Sequence, residues 1–379
     1  MIPLAIPDLS GNEARYLQEC VESNFVSSVG PFVDRFEDMV GDAVGAAAAV
    51  AVSSGTTGLH AALNAVGVGP GDLVILPAYT FIASANAISH CGAKPWLFDI
   101  DPDSWTLDVN LLKESLEAET ELQDGRLIHR ASRQRVAAIM PVYAFGLPAD
   151  MNPIIETAKA FSLPVVADAA AAAGATYKGR AVGDLGADLS VFSFNGNKTV
   201  TAGGGGAIAG HDQALLDRIR HLTTTARVGP DYTHDQVGFN YRMTNLQAAV
   251  GCAQMERFDG LVAAKRRIRE NYDTRLARIP GLAAFPAPPW AESACWISGA
   301  ICDTEQLAAS ARKVLIAAGF DAKLFWKPMH LQPPYADAPA TAQTHSNEIW
   351  KRILPLPNST SLTQDEQDLI IDALVASAG

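Results

Sequence analysis

The sequence predicts an α/β protein: a mostly parallel central sheet flanked by helices, followed by a smaller C-terminal α/β domain. Three observations carry this prediction. Between residues 47 and 209, short apolar runs alternate with stretches of helical periodicity, and repeated βα units of that kind build a parallel sheet covered on both faces. At 379 residues, 48% hydrophobic and 18% charged, the chain is long enough for one large domain and a smaller one. A long helical segment near residue 250 then leads into a second, shorter series of strands and helices, which divides the chain into residues 1–250 and 251–379.

Taken in order, Ser10 and Glu13 stand at capping-box spacing, which predicts a helix from there to about residue 23. Pro31 suits a first helical position, and Phe32, Phe36, Met39, Val40 and Val44 recur at helical spacing behind it. Residues 47–52 read as a strand and Ser53-Ser54-Gly55-Thr56-Thr57 as a small polar turn. Leu59, Ala62, Leu63 and Val66 form the apolar face of the helix after it. Such a turn points backbone N–H groups and hydroxyls at one spot at the positive end of a helix, which favours a phosphate; a plain capped helix has the same pattern. Further strands are predicted at 73–77, 94–100, 136–142 and 164–168. Between them, helices are predicted from Phe81 to near Gly92, at 109–116 and at 153–161. Residues 117–135 are charged and aperiodic and read as a surface excursion.

Asp168 closes its strand. Carboxylates at the C-terminal ends of parallel strands face the ligand crevice of such sheets, and capping the following turn is the competing role. Residues 169–173 are all alanine and offer no functional side chain. Val191, Phe192 and Phe194, with Ser193 interleaved, read as a buried strand that runs into Lys198, beyond which Gly203 to Gly206 let the chain turn. An amine in a partly dry pocket has its pKa lowered and becomes a nucleophile toward carbonyls, whereas a lysine on a strand-end loop is commonly just solvated. Next come a strand at 207–209, a helix at 212–224, a polar loop at 225–236 that reads as mobile, and Gly238-Phe239-Asn240-Tyr241-Arg242. One long helix over 245–276 then bridges into the C-terminal domain. There, a connector at 280–290 is followed by a strand at 295–301 and a helix at 304–319. Residues 323–335 carry Trp326, Lys327, His330, Gln332 and Tyr335 among prolines, a composition that suits a substrate surface. The last helix, 363–376, is expected to pack Leu369, Ile370 and Leu374 inward.

The net charge of −12 argues against nucleic acid or anionic lipid as the main partner, since both need a surplus of Lys and Arg. Cys20, Cys91, Cys252, Cys295 and Cys302 are odd in number and contain no CxxC pair, so neither a disulfide framework nor a metal site is suggested. The first residues lack a basic segment followed by a long apolar one, and no apolar run reaches membrane-spanning length, which predicts a cytoplasmic protein.

In chain order, the turn at 53–57, Phe81, Asp168, Ser193 and Lys198 match the needs of one cofactor. Pyridoxal 5′-phosphate requires an amine, a carboxylate for its ring nitrogen, an aromatic against its ring, and hydroxyls with N–H groups for its phosphate. The motifs Ser53-Ser54-Gly55-Thr56, Pro77-x-x-Thr80-Phe81, Asp168-Ala169-Ala170, Ser193-Phe194-Asn195-Gly196-Asn197-Lys198 and Gly238-Phe239-Asn240-Tyr241-Arg242 resemble those of the DegT/DnrJ/EryC1/StrS sugar aminotransferases over nearly the whole chain. Ser27-Ser28-Val29-Gly30, the four glycines and His330-Leu331-Gln332-Pro333-Pro334 make the likeness greatest to the LegC-type branch, near the perosamine synthases.

The resemblance implies the fold-type I architecture of pyridoxal-phosphate-dependent transferases and a homodimer whose active sites lie at the subunit interface. It also implies amination of C4 in a nucleotide-linked 4-keto-6-deoxy sugar, with glutamate as donor, in surface polysaccharide or nonulosonic acid biosynthesis. Carried over by position, Lys198 is the Schiff-base lysine and proton shuttle, and Asp168 the partner of the pyridine nitrogen. Phe81 stacks on the ring. Thr56, Thr57 and Ser193 hold the phosphate, with Gly55, Ala171 and Asn195 also beside the cofactor. Asn240 reaches that phosphate from the second subunit, while Trp326 and His330 contact the sugar nucleotide. Arg242 is a candidate grip for the donor carboxylate on the chemistry of the guanidinium.

Three positions depart from the family pattern: Ala171 stands where Glu or Gln is usual, Tyr143 where His is common and Lys323 where Arg is common. The related ketosugar dehydratases carry histidine in place of the lysine, so Lys198 selects the aminotransferase. A second reading, an impaired chain with a regulatory or sugar-nucleotide-binding role, rests on Ala171.

Overall fold

The sheet that organises the molecule is built from two sets of strands, described here in a computed structural model of residues 1–378. Ala48–Val52, Gly206–Gly210, Leu189–Ser193 and Val166–Asp168 lie side by side in that order, and Lys94–Phe98, Leu73–Pro77 and Val136–Ile139 form the second set. Parallel bridges from Ile139 to Val165 and from Val142 to Asp168 join the two into one surface. Alternation along each strand explains why it is buried on both sides. Ala49, Ala51, Leu73 and Ile75 enter one core, with Phe36 and Val40 of the Pro31–Val44 helix. Val50, Val52, Val74 and Leu76 enter the other, with Leu59 and Leu63 of the Gly55–Ala65 helix.

The predicted strands are present, and one of them differs in direction. Gly206–Gly210 runs antiparallel to both of its neighbours. Its connection from Ser193, residues 194–205, carries no helix to cross a face of the sheet, and the chain returns beside the strand it left. Residues 117–135 are not a featureless excursion: Thr120–Gln123 and Arg126–His129 pair as an antiparallel hairpin, tied together by Glu121 with Arg130 and Arg133. Within 225–236, Arg227–Val228 and Thr233–His234 form a second, two-residue pair of strands.

The predicted capping box at Ser10 is absent. The Ser10 N–H donates to Asp8 at 3.0 Å, and the first helix, Glu13–Ser23, begins after Asn12. Glu13 is unavailable for a box because its buried carboxylate accepts from Gln254 Nε2 at 2.5 Å.

The long helix expected over 245–276 is two helices, Asn245–Met255 and Phe258–Leu276. The break is held from outside. Glu256 accepts from Asn12 Nδ2 (2.7 Å), from Arg35 (2.5 Å) and from the Tyr16 hydroxyl, while Arg257 pairs with Asp8 at 2.7 Å. Ala248, Ala249 and Cys252 of the first helix belong to the sheet's core. Ile268, Tyr272 and Leu276 of the second pack with Ala300, Leu354 and Leu374 in a separate one. That core covers an antiparallel sheet of Leu282–Ala284, Ser298–Cys302 and Ile353–Leu356. In the final helix, Gln364–Ala378, Ile370, Ile371 and Leu374 face inward, whereas Leu369 is exposed, contrary to expectation.

The segment before the first helix joins the C-terminal unit. Ile2 bonds to Gly319 and Asp321, and Ile6 donates to the Ser359 hydroxyl. No helix among the described residues is long and apolar enough to cross a membrane.

Candidate active site

Val191 is paired in register with Asp168, so Ser193 and Asp168 emerge at the same end of the sheet. The loop that follows is closed at its base by two bonds to the Phe194 carbonyl, from Ala202 N (2.8 Å) and Thr201 Oγ1 (3.2 Å). This pinch puts Lys198 at the loop's free end, its N–H bonded to Asn195 O at 3.0 Å. At Gly206, a Cβ would fall 2.8 Å from both Gly55 N and the Phe192 carbonyl, so only glycine allows the strand to pass the start of the Gly55–Ala65 helix. The same crowding brings Ser193 against Gly55, where an added Cβ would meet the Ser193 Cβ at 3.0 Å.

The resulting cavity, of about 410 Å³, is lined by Gly55, Thr56, Phe81, Asp168, Ala171, Ser193, Asn195, Lys198 and Trp326. Nine predicted positions thus meet in one place. Phe81, the residue that precedes the Ile82–His90 helix, is 55% exposed on its wall. Four predicted positions lie elsewhere. Thr57 turns its hydroxyl back to its own helix start, accepting from Ser54 N at 3.0 Å while Ser54 Oγ accepts from Thr57 N at 3.1 Å. His330 is tied to Asn347 at 2.9 Å. Asn240 is exposed beside Thr224. Arg242 is not free to grip a donor carboxylate: its side chain is only 9% exposed, paired with Glu37 at 2.8 Å and bonded to the Ala51 carbonyl at 3.0 Å.

Two charged groups dominate the cavity. Burial pushes the Lys198 amine down to about 8, against a smaller opposing effect of Asp168. Roughly a tenth of such amines are unprotonated at pH 7, compared with fewer than one in a thousand ordinary lysines. Burial raises the Asp168 carboxyl, and three features pull it back: the Ser84 hydroxyl donating at 2.7 Å, the Ala170 N–H at 3.2 Å and the charge of Lys198.

Several contributors have no sequence signature. Ser84 reaches Asp168 from a helix in which the sequence singles out no functional side chain, and Trp296 arrives from the C-terminal unit. The Lys198 Nζ lies 3.6 Å from the Trp296 ring centre, and the indole N–H donates to the Asn197 carbonyl at 2.8 Å. Trp326 stacks against Trp296, their ring centres 6.0 Å apart and their planes 28° from parallel, and stacks on Phe145 at 5.1 Å. Tyr143 also lines the cavity, its hydroxyl buried without a partner.

These donors fit pyridoxal 5′-phosphate. A helix start leaves its first N–H groups without helical partners, and here it sits beside the Ser193 hydroxyl for a phosphate. A buried carboxylate, an accessible aromatic face and an amine of lowered basicity complete the set.

Over residues 7–375 the chain matches the family described as the DegT/DnrJ/EryC1/StrS aminotransferases. It is 39% identical to the GDP-perosamine synthase of Caulobacter vibrioides, with 98% of this chain and 97% of that one covered. To the GDP-perosamine synthase of Escherichia coli O157:H7 it is 34% identical, again over 98% and 97%. The crystal structure of a DegT DnrJ EryC1 StrS aminotransferase from Brucella abortus superposes with a TM-score of 0.89 at 27% identity, covering 97% of this chain and 95% of that one.

Proposed function

Because this chain belongs to the DegT/DnrJ/EryC1/StrS family of pyridoxal-phosphate-dependent aminotransferases, we propose that it aminates C4 of a nucleotide-linked 4-keto-6-deoxy sugar. In this reading glutamate is the donor, and the product serves surface polysaccharide or nonulosonic acid biosynthesis. One observation carries it: the Lys198 amine, lowered to about 8, shares a cavity with Asp168 and the start of the Gly55–Ala65 helix. The activity for which the two relatives above are named supports a sugar nucleotide as acceptor and makes a GDP-linked ketosugar the first to try.

Pyridoxal 5′-phosphate, when bound, supplies an electron sink and carries the amino group between donor and acceptor. Thr56, Gly55 and Ser193 would hold its phosphate, Phe81 its ring face and Asp168 its ring nitrogen. Asp168 is suited to that role because Ser84 and Ala170 already stabilise its ionised form, and a cationic N–H opposite it would reinforce the effect. Lys198 takes and returns the proton at the substrate carbon. A base of pKa about 8 does both near neutral pH, where an ordinary lysine would hold its proton. Trp296, Phe325 and Trp326 exclude water from the amine and offer apolar faces to a deoxysugar ring. In this reading Asn240, exposed and away from its own cavity, serves the cavity of a second copy in a homodimer.

A panel of nucleotide-linked 4-ketosugars, incubated with cofactor-loaded protein and glutamate and scored for amine by mass spectrometry, tests the proposal. The expected result is amination of a 4-keto-6-deoxy member, lost in Lys198→Ala. No amine from any member, or turnover retained in Lys198→Ala, would sink it.

A further inference from the structure

Lys265 is 3% exposed, and its hydrogen bonds go to amide carbonyls: Trp296 O at 3.2 Å, Asn358 O at 2.5 Å and the Asn358 side-chain carbonyl. Burial pushes this amine down to about 7, so near neutral pH it is an ammonium in part of the molecules and a hydrogen-bond donor in all of them, and the carbonyls it bonds belong to two segments with a common destination. Asn358 passes the connection on, its Nδ2 donating to Cys295 O and Ser298 Oγ, both at 3.1 Å. Cys295 has a φ of 53°, in the left-handed region, and immediately precedes Trp296. The Lys265 amine and the Asn358 amide therefore grip the backbone on both sides of Trp296. The indole of that residue bonds the Asn197 carbonyl and lies across the Lys198 amine.

We propose that Lys265 is a positioning residue which, through Asn358 and the Trp296 carbonyl, holds the Trp296 indole over Lys198 and keeps water from its amine. The proposal rests on the reading of Lys198 as the reactive amine. Two features favour the protonated form, the charge of Asp168 and the face of the indole itself, over which the Nζ lies at 3.6 Å, and the exclusion of water outweighs them. The indole's part in excluding water is therefore what the Lys265 grip preserves. An indole released from that grip would admit water and restore part of the lost hydration, raising the amine's basicity. On this account two lysines 67 residues apart in sequence are linked through a tryptophan that neither the strand nor the loop carrying Lys198 supplies.

The test uses the full chain freed of cofactor. The pH dependence of Lys198 acylation, followed by peptide mass spectrometry, gives the amine's titration midpoint without any turnover. The wild-type midpoint is expected near 8. In Lys265→Met and in Trp296→Leu it should rise by about one unit, a tenfold loss of free amine at pH 7, with little further rise in the double variant because both act through one contact. A folded Lys265→Met whose midpoint equals that of the wild type would overturn the proposal and leave Lys265 a purely structural residue. Should Lys265→Met fail to fold, Asn358→Asp keeps acceptors for Lys265 but withdraws the amide donors from Cys295 and Ser298. An upward shift there supports the link, and an unmoved midpoint overturns it. Lys198→Ala, assayed for transamination, examines the underlying reading separately, since turnover retained in that variant removes Lys198 as the reactive amine whatever the midpoints show.

Discussion

A lysine whose amine is held near 8 destabilises the protein that holds it. The unfolded chain, with its lysine near 10.4, binds more protons than the folded one between about pH 8 and 10.5, so this contribution to stability rises with pH across that window and is fully unfavourable below it. Replacing the amine by an apolar chain of similar length removes the penalty. Lys198→Met should therefore raise the melting temperature of the cofactor-free protein at pH 7, by an amount corresponding to about 1–2 kcal/mol, while abolishing transamination. The gain should shrink toward pH 10. Calorimetry at the two pH values checks it, and a gain that grows with pH would show that the amine is not the source. Asp168 was legible in the sequence because it closes an apolar strand, and Lys198 because it lies between such a strand and a run of glycines; strand ends point at the crevice. Arg242 was misread: nothing local announces that Glu37, some 200 residues earlier in the chain, already holds its guanidinium.

The Gly55–Ala65 helix separates holding a phosphate from holding a helix start. Thr57 closes the capping box with Ser54, whereas the neighbouring Thr56 lines the cavity. Thr57→Val should lower stability by about 1 kcal/mol in urea unfolding of the cofactor-free chain. Thr56→Val should leave that stability within about 0.5 kcal/mol and weaken cofactor retention on dialysis several-fold. The reverse pattern would mean that the two hydroxyls have been assigned the wrong way round. Elements with strong periodicity were read from sequence to within a few residues, as the Pro31–Val44 and Leu73–Pro77 segments illustrate. The failures occurred where distant partners decide. The direction of Gly206–Gly210 follows from a connection that contains no crossover helix. The break at Glu256 follows from Asn12, Tyr16 and Arg35, which no window around residue 256 contains.

Across the whole molecule, the N-terminal segment acts as a strap. Leu4 donates to Asp321, Ile6 to Ser359, and Asp8 accepts from Arg257 at the joint between the two helices. The Arg257 guanidinium holds the Asp8 carboxyl down to about 2. With a folded pKa below the unfolded one, this stabilisation is complete above about pH 4 and lost as the pH falls toward 2. Asp8→Asn should therefore lower the melting temperature at pH 7 by a few degrees and by only about a third as much at pH 2.5. Equal losses at both would point to packing instead of charge.

The strap also sets a timetable. Ile6 and its partner Ser359 are separated by 353 residues. At about 5–20 residues per second, a ribosome needs roughly 20–70 s to make that interval. Ile6 must wait for Ser359, so the growing sheet acquires its central strands and the Lys198 loop well before the strap can be fastened.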